Sequence, residues 1–474
     1  MPNNNIKAAL RFYSKNKVFA IINGFGLSIA MAVSFIILLY VINELSYDRF
    51  NKNGKRIFRV VNFYKDFNIT QLGTPYILAS TLRDEYPQVE KATTLRNMRG
   101  FQLKVNNEFI EIDRTMTANS EIFEIFTFPI VTGSSKEHLL DNMNSLVISQ
   151  DLSKKLFADE NPVGKEIMGM VNNEEHLFII TGVFEDIPPN STIRASCFIH
   201  SKWSIDPINK TFGITNADES WSHDFWTTWI MLSKGSKADD LEQSFDSFGE
   251  KYIGQQPHNR YLLQELHDVY LRSDNVLNTG IKGNMKNVRL FSLIALLIIL
   301  VAAINYIILS SALLTTRSRE IGIRKTFGAG NLNIRNQLLS ESVLIVLLVL
   351  PVALVLTWIA LPHAVKLFQT DTLFMGTNSI SYFSVYLIIA LIIGIASGFY
   401  TSTYLSKLQV LDIMKNTANT GRKKVHFRSA MIIVQLLIFC TFVACALTVR
   451  SQYKFALSKD TGHYKKDVLQ IELG

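Results

Sequence analysis

Five apolar runs decide what this 474-residue chain can become, at 18–43, 290–314, 342–362, 382–405 and 429–448. About 20 apolar residues of helix cross a bilayer core, and only helices or closed barrels satisfy their backbone groups there. The pattern therefore predicts five membrane-spanning helices. The first run follows a basic segment, 1–17, with Lys7, Arg11, Lys15 and Lys17. A secretory signal peptide competes for this run, because Ala30-Met31-Ala32 imitates a cleavage site. The run continues through Ile42, beyond a signal core, and reads as an uncleaved span with its N-terminus inside.

Charge orients the runs. The net charge is +8, and the Lys and Arg clusters flank apolar runs rather than forming a stripe of their own. They read as topology signals facing anionic lipid, with no case for nucleic acid. Segments 1–17, 315–341 and 407–428 are all basic and fall on one side, which positive-inside bias makes the cytoplasm. Residues 44–287 then lie outside. That region alternates short apolar segments with turn signals, as an inserted α+β domain does. Phe101–Val105 and Phe109–Ile112 flank Asn106-Asn107 as a hairpin would. Short helices are expected over Ser120–Phe126, and over Leu152–Phe157 behind Ser149. Phe178–Phe184 reads as a buried strand stopped by Pro188-Pro189. Trp221, Trp226 and Trp229 are expected to fill a core rather than an exposed surface.

The spans carry packing signals. Ala20, Gly24, Ser28 and Ala32 form a small-residue stripe, as do Ala390, Gly394 and Gly398. Asn305, in mid-span, is expected to face another helix, and Pro351 to kink or loosen its own.

Catalytic chemistry is hard to find. No phosphate-cradling G-x-x-x-x-G-K-[ST] occurs, and the histidines form no H-E-x-x-H. Ser149, His138 and Asp141 lack a nucleophile elbow, and Glu174, Glu175 and His176 suit an exposed loop. Cys197, Cys440 and Cys445 suggest neither a disulfide nor a metal site. The chain reads as a non-catalytic membrane subunit without a cofactor or metal of its own.

Between the second and third runs lies TTRSREIGIRKTFGAGNLNIRNQLLSE, 315–341. Glu320 and Arg324 sit four apart, as do Ile323 and Phe327, so a short helix pairs charges on one face and apolar groups on another. Gly328 and Gly330 end it, and Asn331 is placed to cap the next helix. The words RSREIGIRKTFGA and QLLSES resemble the coupling loop of MacB/FtsX-type ABC transporter permeases. ELSYDRFNKNGKRIFRV, 44–60, is similar to the sequence after the first helix in the Bacteroidetes-type branch. SLVISQDLSKKLFADENPVGKEI, FIITGVFEDIPPNS and LLQELHDVYLRSD resemble the MacB-like periplasmic core domain, with Thr192 where many relatives have His. YTSTYLSKLQVLDIMKN resembles the end of the FtsX-like transmembrane unit, with Thr401 and Val410 where proline is common.

The resemblance implies a multi-pass α-helical membrane protein of the plasma (inner) membrane with a large inserted α+β extracytoplasmic domain. It divides the chain into a cytoplasmic segment (1–17), a first span (18–43), a MacB-like core domain (44–287) and an FtsX-like domain (288–407). A basic linker (408–428), a fifth span (429–448) and the start of a second outer segment (449–474) follow. This last part reads as the opening of a second copy of the same unit, making the chain the front half of a duplicated eight-span permease. The implied partner is an ABC ATPase dimer that carries the ATP and Mg, docked on Arg317, Arg319, Glu320, Ile321, Ile323, Arg324, Lys325 and Phe327. A second permease half or homodimer, and a periplasmic or outer-membrane partner, are implied as well. The work done would be export of, or mechanical action on, peptide, lipoprotein or drug-like cargo. Two other classes compete: a membrane sensor with an outer ligand-binding domain, and a membrane-anchored hydrolase. Stable association with an ATPase discriminates the permease from both.

Overall fold

The structure, a computed structural model, describes residues 17–252, 259–278, 280–312, 321–368, 379–406 and 421–459. It forms two compact units. One is a folded domain spanning Leu39–Leu290, and the other holds the chain before Leu39 and most of the helices after Leu290. Helix α1 (Lys17–Leu45) is apolar throughout, as a helix surrounded by lipid or other helices must be.

The folded domain is built on a mixed 14-stranded sheet. Its first half contains β1 (Ile57–Tyr64), β2 (Ile69–Gln71), α2 (Leu78–Glu85), β3 (Val89–Met98), β4 (Gln102–Val105), β5 (Glu108–Glu111), β6 (Thr115–Ala118), α3 (Ile122–Ile125) and β7 (Ile130–Gly133). The second half contains β8 (Ser145–Ser149), α4 (Gln150–Phe157), β9 (Glu166–Val171), β10 (Glu174–Phe184), β11 (Cys197–His200), α5 (Ile205–Phe212), β12 (Thr227–Leu232), α6 (Ala238–Tyr252), β13 (Asn259–Glu265), α7 (Leu266–Val269) and β14 (Val276–Leu277).

Local chemistry accounts for several of these elements. Asn106 and Asn107 both take positive φ, 48° and 72°, so β4 and β5 close through the left-handed turn that suits a two-residue hairpin. Ser149 caps α4, its hydroxyl accepting from Leu152 N at 3.2 Å. Strand alternation sorts side chains to opposite faces. Leu146, Ile148, Cys197 and Ile199 join Phe178 and Trp203 in one core cluster. Val147, Phe198, Phe184 and Trp229 join Phe123 and Phe126 in another. Trp226 and Trp229 are buried and Trp221 packs against Phe248, so the tryptophans do fill cores.

In the helical unit lie α8 (Met285–Ala312), the short α9 (321–326), α10 (Asn331–Phe368), α11 (Ser379–Ser406) and α12 (Gly421–Ser458). Among the described residues four helices are long and apolar enough to cross a membrane, in α1, α8, α10 and α12. The fifth, α11, is 28 residues long and carries the apolar stretch Phe383–Ala396 among the described residues.

Helices α10 and α12 both run beyond the apolar runs that predicted them. Helix α10 starts at Asn331, the position expected to cap a helix, and runs without a break from the end of the coupling stretch into the third apolar run at 342. It includes Pro351 and Pro362 and continues to Phe368, past the expected end of the third run at 362, as membrane helices tolerate when neighbours or local adjustment re-satisfy the freed backbone group. Helix α12 covers the end of the expected linker, from Gly421, and continues through Ser458 into what was expected to be an outer segment. Nothing in SQYKFALS breaks a helix, since it contains neither Gly nor Pro. The expected strand VLQIEL lies outside the described residues.

Candidate functional site

The folded domain grips the C-terminal end of α1 through a polar joint. From Leu39 onward the helix belongs to this domain, and at Ser46–Asp48 the chain turns off it. Asp48 has φ 57°, a conformation Asp tolerates better than most residues because its short side chain can bond locally. Its carboxylate is buried and takes donations from Ser191 Oγ at 2.9 Å, Thr192 N at 3.0 Å and Thr192 Oγ1 at 2.8 Å. Asp48 N donates to Asn190 O at 2.9 Å, and Asn190 Nδ2 donates to Ser46 O and Oγ. Arg194 bonds the Tyr47 hydroxyl at 3.2 Å. Two stretches some 140 residues apart in sequence, ELSYDRF and PPNSTIR, are thus stitched together. Burial pushes the Asp48 carboxyl above its ordinary range, while the Thr192 and Ser191 donations pull it back. Arg59, also buried, has its guanidinium pushed down to about 10 by burial, and the Asp48 charge opposes that shift.

A second knot ties the same helix end to the chain entering α8. Tyr270 stacks on Tyr47 with centroids 3.4 Å apart, and its hydroxyl donates to Glu44 Oε1 at 3.0 Å. Gly283, two residues before α8, donates its N–H to Tyr270 O at 2.8 Å. A Cβ at Gly283 would stand 2.5 Å from the Tyr270 ring and 2.9 Å from Glu44 Oε2, so only glycine fits. Burial raises the Tyr270 phenol well above its ordinary value, with Glu44 adding to the shift. The chain's exit from one membrane helix and its entry to the next therefore share one buried cluster.

In the helical unit, α9 and the start of α10 form a small body. Ile321 is 5% exposed and packs with Ile334 and Leu338, whereas Ile323 is 55% and Phe327 87% exposed. The expectation that Ile321 points at a partner is corrected: it holds α9 onto α10. Arg324 Nη1 donates to Gln337 Oε1 at 2.5 Å, and Gln337 Nε2 donates to Glu341 Oε1 at 3.1 Å, so Arg324 is tied back to α10 rather than standing at an open rim. Lys325 is half-buried. Gly328 takes φ 88° and ends α9. Arg317, Arg319 and Glu320 lie outside the described residues.

Gly24, Gly394, Gly398 and Asn305 each lie close to a neighbouring helix. A Cβ on Gly398 would stand 2.6 Å from Ser342 Cβ, and one on Gly394 3.2 Å from Val343 Cα, so α10 and α11 meet nearly backbone to backbone. Ser342 also accepts from the Tyr306 hydroxyl of α8 at 3.0 Å. Gly24 faces Val349, while Ser28 and Ala32 are buried, with Ser28 Oγ bonded to Gly24 O. Asn305 lies beside Gly26, its Nδ2 3.5 Å from where a Cβ there would be. Both line a cavity of about 480 Å³ bordered also by Gln435 and Phe439 of α12.

Ser149, His138 and Asp141 do not assemble as a triad. Ser149 is a helix cap, and it is Ser120 that bonds Asp141 beside His138. Among the described residues no cluster of His, Cys, Asp and Glu is placed to hold a metal ion.

The MacB-like periplasmic core domain model matches residues 20–248, and the FtsX-like permease C-terminal model matches residues 292–410. The chain belongs to the MacB/FtsX-type permeases. The macrolide export ATP-binding/permease protein MacB of Aggregatibacter actinomycetemcomitans is 26% identical over 214 residues, 44% of this chain and 29% of that protein. A probable export ATP-binding/permease protein of Pseudomonas fluorescens (strain Pf0-1) is 31% identical over 143 residues, 30% of this chain and 21% of that protein. This permease chain therefore spans less than a third of the length of either relative. A crystallised domain of a permease protein from Porphyromonas gingivalis is 19% identical, covers 51% of this chain and 99% of that domain, and has a TM-score of 0.38.

In this MacB/FtsX-type chain the joint unites two of the stretches that carried the resemblance in sequence. Thr192, where the chain departs from many relatives, supplies two of the three donations to Asp48. Glu44 and Asp48 could have been flagged as carboxylates close behind the end of the first apolar run. Tyr270 and Gly283 carried no such signal.

Proposed function

We propose that this chain is the permease subunit of an ABC transporter complex, passing movement between a separate ATPase and its extracytoplasmic domain. ATP and Mg sit on that ATPase, which binds as a dimer, and a second permease copy or half engages the dimer's other subunit. One observation carries the reading: α9 turns Ile323 and Phe327 outward while Ile321 anchors it to α10. Large exposed apolar side chains on a firmly backed helix are what a partner's groove needs, and such anchors dominate interface energy. Helices α1 and α8 relay the movement, since each runs from the membrane segment into the domain's polar joint.

The test is co-purification of the full chain with a candidate ATPase expressed alongside it. Wild type should retain the ATPase and Phe327→Ala should lose most of it. Equal recovery by both would overturn the reading. The orientation has its own check. Phe67→Cys, on an exposed turn of the folded domain, should react with an impermeant thiol reagent in intact cells, and Ile323→Cys should not. The reverse pattern would invert the topology.

A further inference from the structure

Strands β6 and β11 lie side by side and parallel, with Ala118 opposite His200. The chain leaves their carboxyl ends toward opposite faces of the sheet. After β6 it enters α3, whose Ile122 and Phe123 pack with Phe198; after β11 it enters a turn whose Trp203 packs with Cys197 and Ile199. In sheets with parallel strands, diverging connections of this kind open a crevice at the strand ends, the usual place for a ligand. Here the crevice is a polar cleft of about 530 Å³, lined among others by Asn119, Glu137, Asp141, His200 and Lys202. That volume falls within the ordinary range for small-molecule sites.

The lining is built for a ligand of mixed charge. Asn119 Oδ1 is buried without a hydrogen-bond partner among the described residues, an acceptor left for a donor. The Asp141 carboxylate is positioned by Ser120 Oγ at 3.1 Å on one oxygen and by His138 Nδ1 at 2.6 Å on the other, and Glu137 stands exposed on the same loop. These groups favour a cation that donates hydrogen bonds. His200 Nδ1 accepts from Lys202 N at 3.1 Å, which leaves Nε2 of the neutral ring as a donor, next to the exposed Lys202 ammonium. These two favour an anion. Two cations and four carboxylates line the cleft in all, with Lys91 paired to Glu124.

We propose that this cleft binds a short zwitterionic peptide, its amine beside Asn119 and Asp141 and its carboxylate beside His200 and Lys202. Nothing in the argument depends on an ATPase partner. The experiment is calorimetric titration of the full chain in lipid nanodiscs with trialanine, and with the N-acetylated trialanine amide as a control lacking both charges. Trialanine should bind one per chain. Loss of a charged hydrogen bond is worth about tenfold or more in affinity, so the capped peptide, and trialanine on Asp141→Asn, should each bind at least about tenfold more weakly. Lys202→Gln, at an exposed position without a role in folding, should weaken trialanine and leave the capped peptide unchanged. Equal binding of the two peptides would overturn the proposal. So would no heat at roughly 10 mM trialanine, a concentration that saturates even a millimolar site, or binding of maltotriose in place of both peptides.

Discussion

At the joint, Asp48 leaves water and meets Ser191 and Thr192, Glu44 meets Tyr270, and Gly283 is small because Tyr270 and Glu44 occupy the space a side chain would need. At α9 the pattern reverses: polar groups such as Arg324 turn back onto α10, and the apolar Ile323 and Phe327 are left outside. A site completed within the chain contributes to its own stability. A site left apolar and exposed is completed by another molecule. The contrast predicts that damage to the joint shows up as lost stability and damage to α9 as lost association.

The largest expected effect is therefore at Asp48. Asp48→Asn keeps an acceptor for Ser191 Oγ and Thr192 N but sets an amide NH2 against the Thr192 hydroxyl, and Asp48→Ala leaves all three donors unpaired as well as losing a residue tolerant of φ 57°. An unsatisfied buried group costs about 1–3 kcal/mol, so the Ala variant should lose about 3 kcal/mol and the Asn variant somewhat less. Thermal unfolding of the full chain in detergent reads this directly. Melting of Asp48→Ala at the wild-type temperature would show that the joint is ornamental.

Phe327→Ala is the mirror experiment. At 87% exposure the side chain buries little against the described residues, so melting should stay within about 0.5 kcal/mol of wild type. Truncating an interface anchor costs about 2 kcal/mol, so ATPase recovery should fall by about 30-fold in affinity. Ile321→Ala, at 5% exposure, should instead loosen α9 from α10 and lower melting as well as association. If the two variants behaved alike, the division between anchored and offered faces of α9 would fail.

How much of this could be read beforehand depended on the range of the interactions. Elements set by neighbours in sequence were legible: the Asn106-Asn107 hairpin, the Ser149 cap and the apolar spans each follow from a few adjacent residues. Ile321 was misjudged because helical spacing gives the faces of α9 but not which face meets α10. The ends of α10 and α12 were misjudged for a related reason: polarity marks where a helix leaves lipid, not where it stops being a helix. The joint is the least legible part. Asp48 needs Ser191 and Thr192, and Glu44 needs Tyr270, at sequence separations of more than 140 residues that no local pattern encodes.

A third effect tests whether the small residues at the α10–α11 crossing are needed or incidental. Gly398→Ala forces a Cβ within 2.6 Å of Ser342 Cβ, and overpacking of this kind costs about 1–3 kcal/mol. Gly394→Ala, facing Val343 Cα at 3.2 Å, should cost less. The sharper measurement is a double-mutant cycle, because Ser342→Gly removes the atoms that Gly398→Ala would strike. The double variant should recover most of the stability lost by Gly398→Ala, measured by unfolding in detergent. Strictly additive losses would place the clash elsewhere.

The smallest effect concerns the cleft, which falls between the two regimes because its groups are held in place yet Asn119 Oδ1 remains unpaired among the described residues. Burial is the main force lowering the His200 imidazole below its ordinary 6.5, the nearby Lys202 charge adds to it, and Asp141 opposes it. The folded state thus takes up this proton less readily than the unfolded chain. Above the ordinary value both states are neutral at this ring, and the contribution is constant. As pH falls through it, the unfolded chain is protonated first, and stability drains away until the lowered folded value is passed. Melting of the full chain should therefore decline on going from pH 7.5 to 5.5, and His200→Gln should decline less over the same interval. The difference between the two curves isolates this ring from the carboxylates that titrate at lower pH. Parallel curves would mean that His200 meets water as freely in the fold as out of it.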